Sequence, residues 1–198
     1  MGEDTKNLVV DAKNYVIQAI RGVGDVAGAI ADATTGALTR ALRGTRATGS
    51  EFRGLVAETV TGTLQGVALV GGEVEASASS IMMGALRGAN RIGKFGVDTV
   101  TGTASALVRG AADVGGDIAR TAKGAVEGAI HNAREVGLTA EQAASAAATG
   151  ALIGAGEISS VAMDQVRDVV TKTISGVKVV ITEPFRSDLS GGSSHYAR

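Results

Sequence analysis

Residues 61–93 read TGTLQGVALVG, GEVEASASSIM and MGALRGANRIG when they are cut into elevens, and these three units set the pattern for most of the chain. Consecutive units continue without a break from Lys6 to Ile181, which gives 16 units and 176 residues. Places three, four, seven, ten and eleven hold apolar or small residues, with Arg53, Glu75 and Glu141 as the charged exceptions. Eleven residues fill three turns of an α-helix, so these places form one apolar face. The pattern therefore predicts helix throughout the repeat.

Glycine recurs within the repeat at intervals of 22 residues. A glycine inside a helix costs about 1 kcal/mol relative to alanine, so this spacing predicts a compensating contact, the close approach of a neighbouring helix. At place six the predicted helix–helix contact residues are Gly22, Gly44, Gly66, Gly88, Gly110, Gly154 and Gly176, with Asn132 as the exception. At place eleven they are Gly49, Gly71, Gly93, Gly115 and Gly137. The alternative is that gene duplication alone left this spacing.

Three sites could interrupt the helix: Gly71-Gly72, Gly115-Gly116 and Gly137-Leu138-Thr139. The last resembles a C-cap followed by a capping box formed by Thr139 and Gln142. A loop of arbitrary length would shift the phase of the repeat, and the phase does not shift at any of the three. The sequence therefore favours one near-continuous helix, about 260 Å long at 1.5 Å per residue, with a folded hairpin as the alternative.

The repeat divides the chain into three parts. Residues 1–5 form an N-terminal cap, in which Asp4 or Thr5 can start the helix. Residues 6–181 are the sixteen-unit repeat. Residues 182–198 form a flexible polar tail, because Pro184 stops a helix and polar residues follow it.

Composition limits the classes of function. Hydrophobic residues make up 44% of the chain but aromatic residues only 3%, so a monomeric core would be thin and the helix would need a surface outside itself. Lys and Arg total 19 and Asp and Glu total 20, a balance that argues against nucleic acid as a partner. Cysteine is absent, which excludes disulfides and thiolate metal sites.

The longest uncharged stretches, 59–72 and 142–156, are too short to cross a bilayer. A cytoplasmic location is predicted, with association with a membrane or granule as the alternative.

Two motifs resemble nucleotide-binding loops. Residues 88–94, GANRIGK, match the first seven places of a P-loop, but Phe95 stands where Ser or Thr must hold magnesium. Gly22-Val23-Gly24 resembles a dinucleotide fingerprint without its strand or its ribose carboxylate. His131 and His195 have no ligand partners at metal spacing. The sequence therefore predicts a protein that is not an enzyme, with no nucleotide, cofactor, metal or catalytic residue.

The units resemble two known classes of 11-residue repeat. One is the hendecad coiled coils, whose helices pack straight or with slight right-handed supercoiling. The other is the α-synuclein, apolipoprotein and perilipin type of lipid-surface helix, which residues 127–137 (EGAIHNAREVG) and 100–108 (VTGTASALV) resemble in their use of Gly, Ala, Val and Thr. Unlike α-synuclein-type repeats, whose polar face is rich in lysine, this repeat carries 17 basic and 16 acidic residues.

The sequence-based prediction is an all-α protein: a long, near-continuous hendecad helix in a straight or slightly right-handed multi-stranded coiled coil. Its apolar face is too broad for a dimer seam, so three or four copies of the helix are expected to associate. The predicted function is a self-assembling structural scaffold whose partner is itself. An amphipathic coat on a lipid droplet, granule or membrane surface is the alternative. A helical tube whose apolar lumen holds lipid-like molecules is a further alternative.

Overall fold

The structure, a computed structural model, describes residues 2–21, 25–43, 49–93, 96–172 and 174–181. Within these ranges the chain is almost entirely helical, and the one extended pairing is an isolated antiparallel bridge between Ile174 and Val177. The α-helices are α1 (Gly2–Arg21), α2 (Val26–Leu42), α3 (Ser50–Leu69), α4 (Val74–Arg91), α5 (Val97–Asp113), α6 (Ile118–His131), α7 (Ala140–Ile158) and α8 (Ser160–Val170). A short 3-10 helix, Ala133–Val136, follows α6.

The prediction of one long helix in a multi-stranded coiled coil is wrong, because the chain is a bundle of short helices that pack on one another. Helix α3 begins at Ser50, α4 at Val74 and α5 at Val97. One helix with its turn therefore takes about two 11-residue units. Turns of such constant length return the apolar face in phase, so an unbroken phase cannot distinguish a continuous helix from a chain that folds back regularly.

All three predicted break sites are turns, and each has a glycine in the left-handed region that closes the preceding helical segment. The φ angles are 72° at Gly71, 75° at Gly115 and 70° at Gly137. In the first turn the N–H of Gly72 donates to the carbonyl of Val67 at 2.9 Å, the long-range bond of a Schellman motif. The same bond recurs from Gly116 to Ala111 and from Leu138 to Ala133.

Polar side chains cap two of the three helices that follow these turns, α6 and α7. The Asp117 carboxylate accepts from the Arg120 N–H at 3.0 Å, which caps α6. The predicted capping box at α7 is present, since Thr139 and Gln142 each bond the backbone N–H of the other. At the N-terminus α1 begins at Gly2, so Asp4 and Thr5 lie inside its first turn.

The helices form two layers. We call α1, α3, α5 and α7 the odd layer and α2, α4, α6 and α8 the even layer. Each helix contacts the next helix, in the other layer, and the next but one, in its own layer. Within a layer the helices are parallel: Gly62 of α3 lies against Val9 of α1, and Gly66 against Lys13. Such a nearest-neighbour stack is the architecture of solenoid proteins.

The core lies between and within the layers. The composition predicts that the helix needs a packing surface outside itself, and other helices of the same chain supply that surface. Most of its buried apolar residues are alanine and valine, which allow close helix packing. The largest fully buried side chains include Ile30, Leu38, Leu64, Ile81, Met82, Leu86 and Leu107.

Candidate interaction surface

The place-six glycines that lie inside described helices face the helix two positions earlier in the chain. A Cβ added at Gly66 would lie 2.9 Å from the Lys13 carbonyl oxygen, and one at Gly154 would lie 2.6 Å from the Ser105 carbonyl oxygen. At Gly88 and Gly110 the nearest atoms belong to side chains of Leu38 and Leu64. Gly176 instead lies in a turn, with a φ of 79°. Gly22 and Gly44 lie outside the described residues.

The place-eleven glycines are placed at turns and not at helix–helix contacts. Each has a positive φ, and a Cβ added there would meet no atom within 4 Å. Their 22-residue spacing follows from the length of a helix plus its turn. These five residues are Gly49, Gly71, Gly93, Gly115 and Gly137.

Other residues of the within-layer contacts were missed from the sequence. In α6 the close-packed glycines are Gly124 and Gly128, and a Cβ at Gly128 would lie 2.7 Å from the Ser79 carbonyl oxygen. Four residues later, Asn132 ends this helix with its side-chain amide on the Gly128 carbonyl at 2.8 Å, which explains why place six holds no glycine here. The signal that could have found the pair was the GxxxG spacing itself, at a different place in the repeat.

Of the two nucleotide-like motifs and the two histidines, the structure describes residues 88–93 and His131. Gly88 lies inside α4, where the backbone N–H groups are bonded within the helix, and Gly93 is in the following turn. Lys94, Phe95 and residues 22–24 lie outside the described residues. His131 is exposed at the end of α6, and His195 also lies outside them. The described part of the chain holds no cluster of metal-ligating side chains.

A cleft of about 390 Å³ crosses the outside of the odd layer, where α3, α5 and α7 run side by side. Its floor includes the two glycines Gly54 and Gly102, and Ser105. Charged side chains of both signs surround it: Arg53, Asp98, Arg109 and Glu157. Arg109 and Glu157 form an ion pair at 2.6 Å across the α5–α7 contact. We call this surface the odd-layer cleft.

The floor of the odd-layer cleft has two unusual features. A Cβ added at Gly54 would meet nothing within 4 Å, and one at Gly102 would meet only the Arg53 side chain, at 3.8 Å. These helical glycines therefore lack the close contact that the other helical glycines make. Ser105 is 7% exposed, and within the described residues its hydroxyl has no hydrogen-bond partner. The cleft therefore presents helix backbone without side chains at Gly54 and Gly102, next to the Ser105 hydroxyl.

A second surface lies at the edge of the stack where odd helices end and even helices begin. Val26, Leu69, Ile158 and Val161 are 41–66% exposed along this edge. A mainly apolar cavity of about 430 Å³ opens between the first two helix pairs there, lined by residues such as Ile20, Val67 and Val70. We call this surface the apolar edge.

Among the described residues, two carboxyl groups have shifted pKa values. Partial burial raises the pKa of Glu58 on α3 above its usual value, because desolvation disfavours the charged form. Hydrogen bonds from its own backbone N–H and from the Thr139 side chain lower the pKa of Glu141 at the start of α7. Neither group lines the odd-layer cleft.

Comparison of the chain with protein-family models, curated proteins and solved structures gives no match. None of the described helices is both long enough and apolar enough to cross a membrane. The fold defines a class of protein: an all-α, two-layer stack of short helices, in which the helices of one layer are parallel.

Proposed function

We propose that the protein is a non-enzymatic structural scaffold whose copies associate through the odd-layer cleft. The observation that carries the proposal is the open glycine floor of this cleft. Each glycine inside a helix costs about 1 kcal/mol relative to alanine. At Gly66 or Gly154 a packed neighbouring helix offsets this cost, whereas Gly54 faces open space. A helix from a second copy would give Gly54 and Gly102 the same kind of contact.

The charges around the cleft support association between identical copies. A two-fold interface brings the same patch of both subunits together, so the patch must complement itself. Arg53 and Arg109 balance Asp98 and Glu157 in sign and number. Rotation of one copy against another can therefore place each charge beside an opposite one. The hydroxyl of Ser105 would gain a hydrogen-bond partner in the same contact.

The proposal keeps the self-association that the sequence predicts, but not through a multi-stranded coiled coil. A coiled coil of three or four long, continuous helices does not fit a chain that folds back into short helices. The apolar face of the repeat packs within one chain. What remains for assembly is the outer surface of the stack.

Light scattering coupled to size-exclusion chromatography tests the proposal. The wild-type protein should have a multiple of the 19.7 kDa chain mass. A Cβ at position 54 would meet no atom within 4 Å, so Gly54→Leu should fill the cleft floor, shift the mass to 19.7 kDa and leave the helical circular dichroism unchanged. Arg120→Leu, which adds a leucine at a 79% exposed side chain in the even layer, is the matched control and should stay associated. A wild-type mass of one chain at every concentration, or an unchanged mass for Gly54→Leu, would contradict the proposal.

A coat on a lipid surface is a second candidate function, and the apolar edge is the observation that favours it. Val26, Leu69, Ile158 and Val161 could enter the interfacial region of a bilayer while the stack stays folded. Acidic Glu73 lies next to this edge, so neutral lipid is the better test surface. Flotation with phosphatidylcholine vesicles should carry the wild-type protein but not a Leu69→Asp, Val161→Asp variant. Failure of the wild-type protein to float would remove this candidate.

A further inference from the structure

The apolar cavity of about 430 Å³ lies where the first helix pair, α1 and α2, meets the second pair, α3 and α4. A junction of the same kind recurs where the second pair meets α5 and α6, so the two junctions can be compared residue by residue. At each junction two even-layer helices begin side by side, α2 beside α4 and then α4 beside α6. We call the space at the first junction the junction cavity. Its walls are mostly apolar and include Ile20, Val26, Ile30, Val67, Val70 and Ala76.

The first residue of each even-layer helix shows why the first junction is open. Val74, the first residue of α4, is 7% exposed, and its side chain would lie 3.1 Å from a Cβ added at Gly116. Val26, the first residue of α2, is 43% exposed. The glycine that corresponds to Gly116 is Gly72, and the nearest atoms to a Cβ added there belong to Val67 of α3. Valine therefore closes the second junction but leaves the first one open.

The acidic residue that precedes each helix also differs between the two junctions. At the second junction the Asp117 carboxylate accepts from the Arg120 N–H at 3.0 Å and pairs with the Arg120 side chain at 3.5 Å. At the first junction Glu73 is exposed, lines the cavity and caps no N–H group. Ala76 takes the place of Arg120, and within the described residues Glu73 has no ion-pair partner. None of the described residues that line the cavity is basic. Its rim therefore carries an uncompensated negative charge.

A second polar group lies deeper in the same wall. Ser80 is 7% exposed and lines the cavity, and its hydroxyl has no hydrogen-bond partner in the part of the chain that the structure describes. Ser77, by contrast, donates to the Glu73 carbonyl at 2.8 Å. Glu73 and Ser80 are seven residues apart, about 10 Å along α4 at 1.5 Å per residue. A buried hydroxyl without a partner costs free energy, which a hydrogen bond from a ligand restores.

We propose that the junction cavity binds a small amphipathic amine, with its ammonium group on Glu73 and its hydrocarbon body against the apolar walls. The cavity volume of about 430 Å³ lies within the range of small-molecule sites. The unpaired carboxylate of Glu73 attracts a cation and repels the carboxylate of a fatty acid. A hydroxyl on the body of the ligand would bond Ser80. The inference depends neither on self-association through the odd-layer cleft nor on attachment to a lipid surface.

Titration of the full chain with octylamine, followed by amide chemical shifts in NMR spectra, tests the proposal at amine concentrations below micelle formation. The shifts should saturate and should be largest around the cavity. Octanoate, which has the same chain length and the opposite charge, should bind more weakly. Glu73→Gln should lower the octylamine affinity by about two- to fivefold, as expected for one exposed ion pair. Glu51→Gln is the matched control, because it removes the same charge at an exposed position at the start of α3 and should leave the affinity unchanged.

Two further comparisons test the shape of the cavity and the second polar group. Ala27→Leu adds a larger side chain at an exposed position of the wall, so it should abolish saturable binding and leave the helical circular dichroism unchanged. Octylamine with a hydroxyl on its terminal carbon should bind more tightly than octylamine, and Ser80→Ala should remove this difference. Equal affinities of the two amines for the wild-type protein would overturn the part assigned to Ser80. The proposal as a whole is overturned if octylamine does not saturate, if octanoate binds as tightly, or if Glu73→Gln and Ala27→Leu both leave the affinity unchanged.

Discussion

Gly150 and Gly54 are both helical glycines, but their surroundings are opposite. A Cβ at Gly150 would collide with the backbone of Thr101, whereas one at Gly54 would meet nothing within 4 Å. Helical glycines in this chain therefore either allow close contact with a neighbouring helix or line an open surface, and their spacing in the sequence does not distinguish the two. The turn glycines, such as Gly115, add a third, because their positive φ disfavours other residues.

Gly150→Ala is expected to destabilise the fold, because the methyl group would force α5 and α7 apart. Overpacking of this kind costs about 1–3 kcal/mol. The control Gly54→Ala should instead raise the free energy of unfolding by up to about 1 kcal/mol, through helix propensity alone. Urea unfolding of both variants measures the difference. An equal increase in the free energy of unfolding for both variants would show that the α5–α7 contact is not close.

Glu58 gives the fold a predictable pH dependence. Its pKa is raised in the folded state, so the folded protein binds this proton more tightly than the unfolded protein does. The free energy of unfolding therefore falls as pH rises through the folded-state pKa. Glu58→Gln should raise stability at pH 7, and this gain should vanish below about pH 4, where the wild-type carboxyl is protonated. Urea midpoints across this range test the prediction, with Glu51→Gln at an exposed position of α3 as control. A gain that persists at low pH would show a cause other than ionisation.

At the scale of single elements, much of the structure could be predicted from the sequence. The 11-residue apolar pattern predicts helix, and the capping residues at 139 and 142 mark the start of α7 where the structure has it. The fold-back could not be decided from phase, because the turns keep the repeat in register. The end of the helical pattern after Val170 was missed because the apolar places of residues 171–181 fit the repeat, although the β-branched residues of this unit point to extended backbone.

The capping box at α7 gives a prediction at this scale. Thr139→Ala removes the side chain that accepts from the Gln142 N–H, and loss of such a cap costs about 1 kcal/mol. Thr171→Ala is the control, since that hydroxyl bonds back to a carbonyl within its own helix and caps no N–H group. Thermal unfolding should show a lower melting temperature for the first variant and a smaller change for the second. Equal changes would mean that the capping box contributes nothing specific.

At the scale of the whole molecule, helices that are far apart in sequence lie side by side. Arg109 and Glu157 form an ion pair although 48 residues separate them. Thr35 on α2 donates to the Gly84 carbonyl on α4 at 3.0 Å, across 49 residues. The odd-layer cleft arises only from this stacking, because Gly54 and Gly102 occupy different places in their units. No pattern in the sequence could have brought them together.

The distance between positions 109 and 157 tests the folded stack most directly. Spin labels on Arg109→Cys and Glu157→Cys can be measured by pulsed electron paramagnetic resonance, since the chain has no other cysteine and both side chains are partly exposed. Dilution with unlabelled protein removes distances between copies. The stack predicts a distance at the short limit of the method, as expected for residues in ion-pair contact. A distance of about 72 Å, the span of 48 residues of continuous helix at 1.5 Å each, would contradict it.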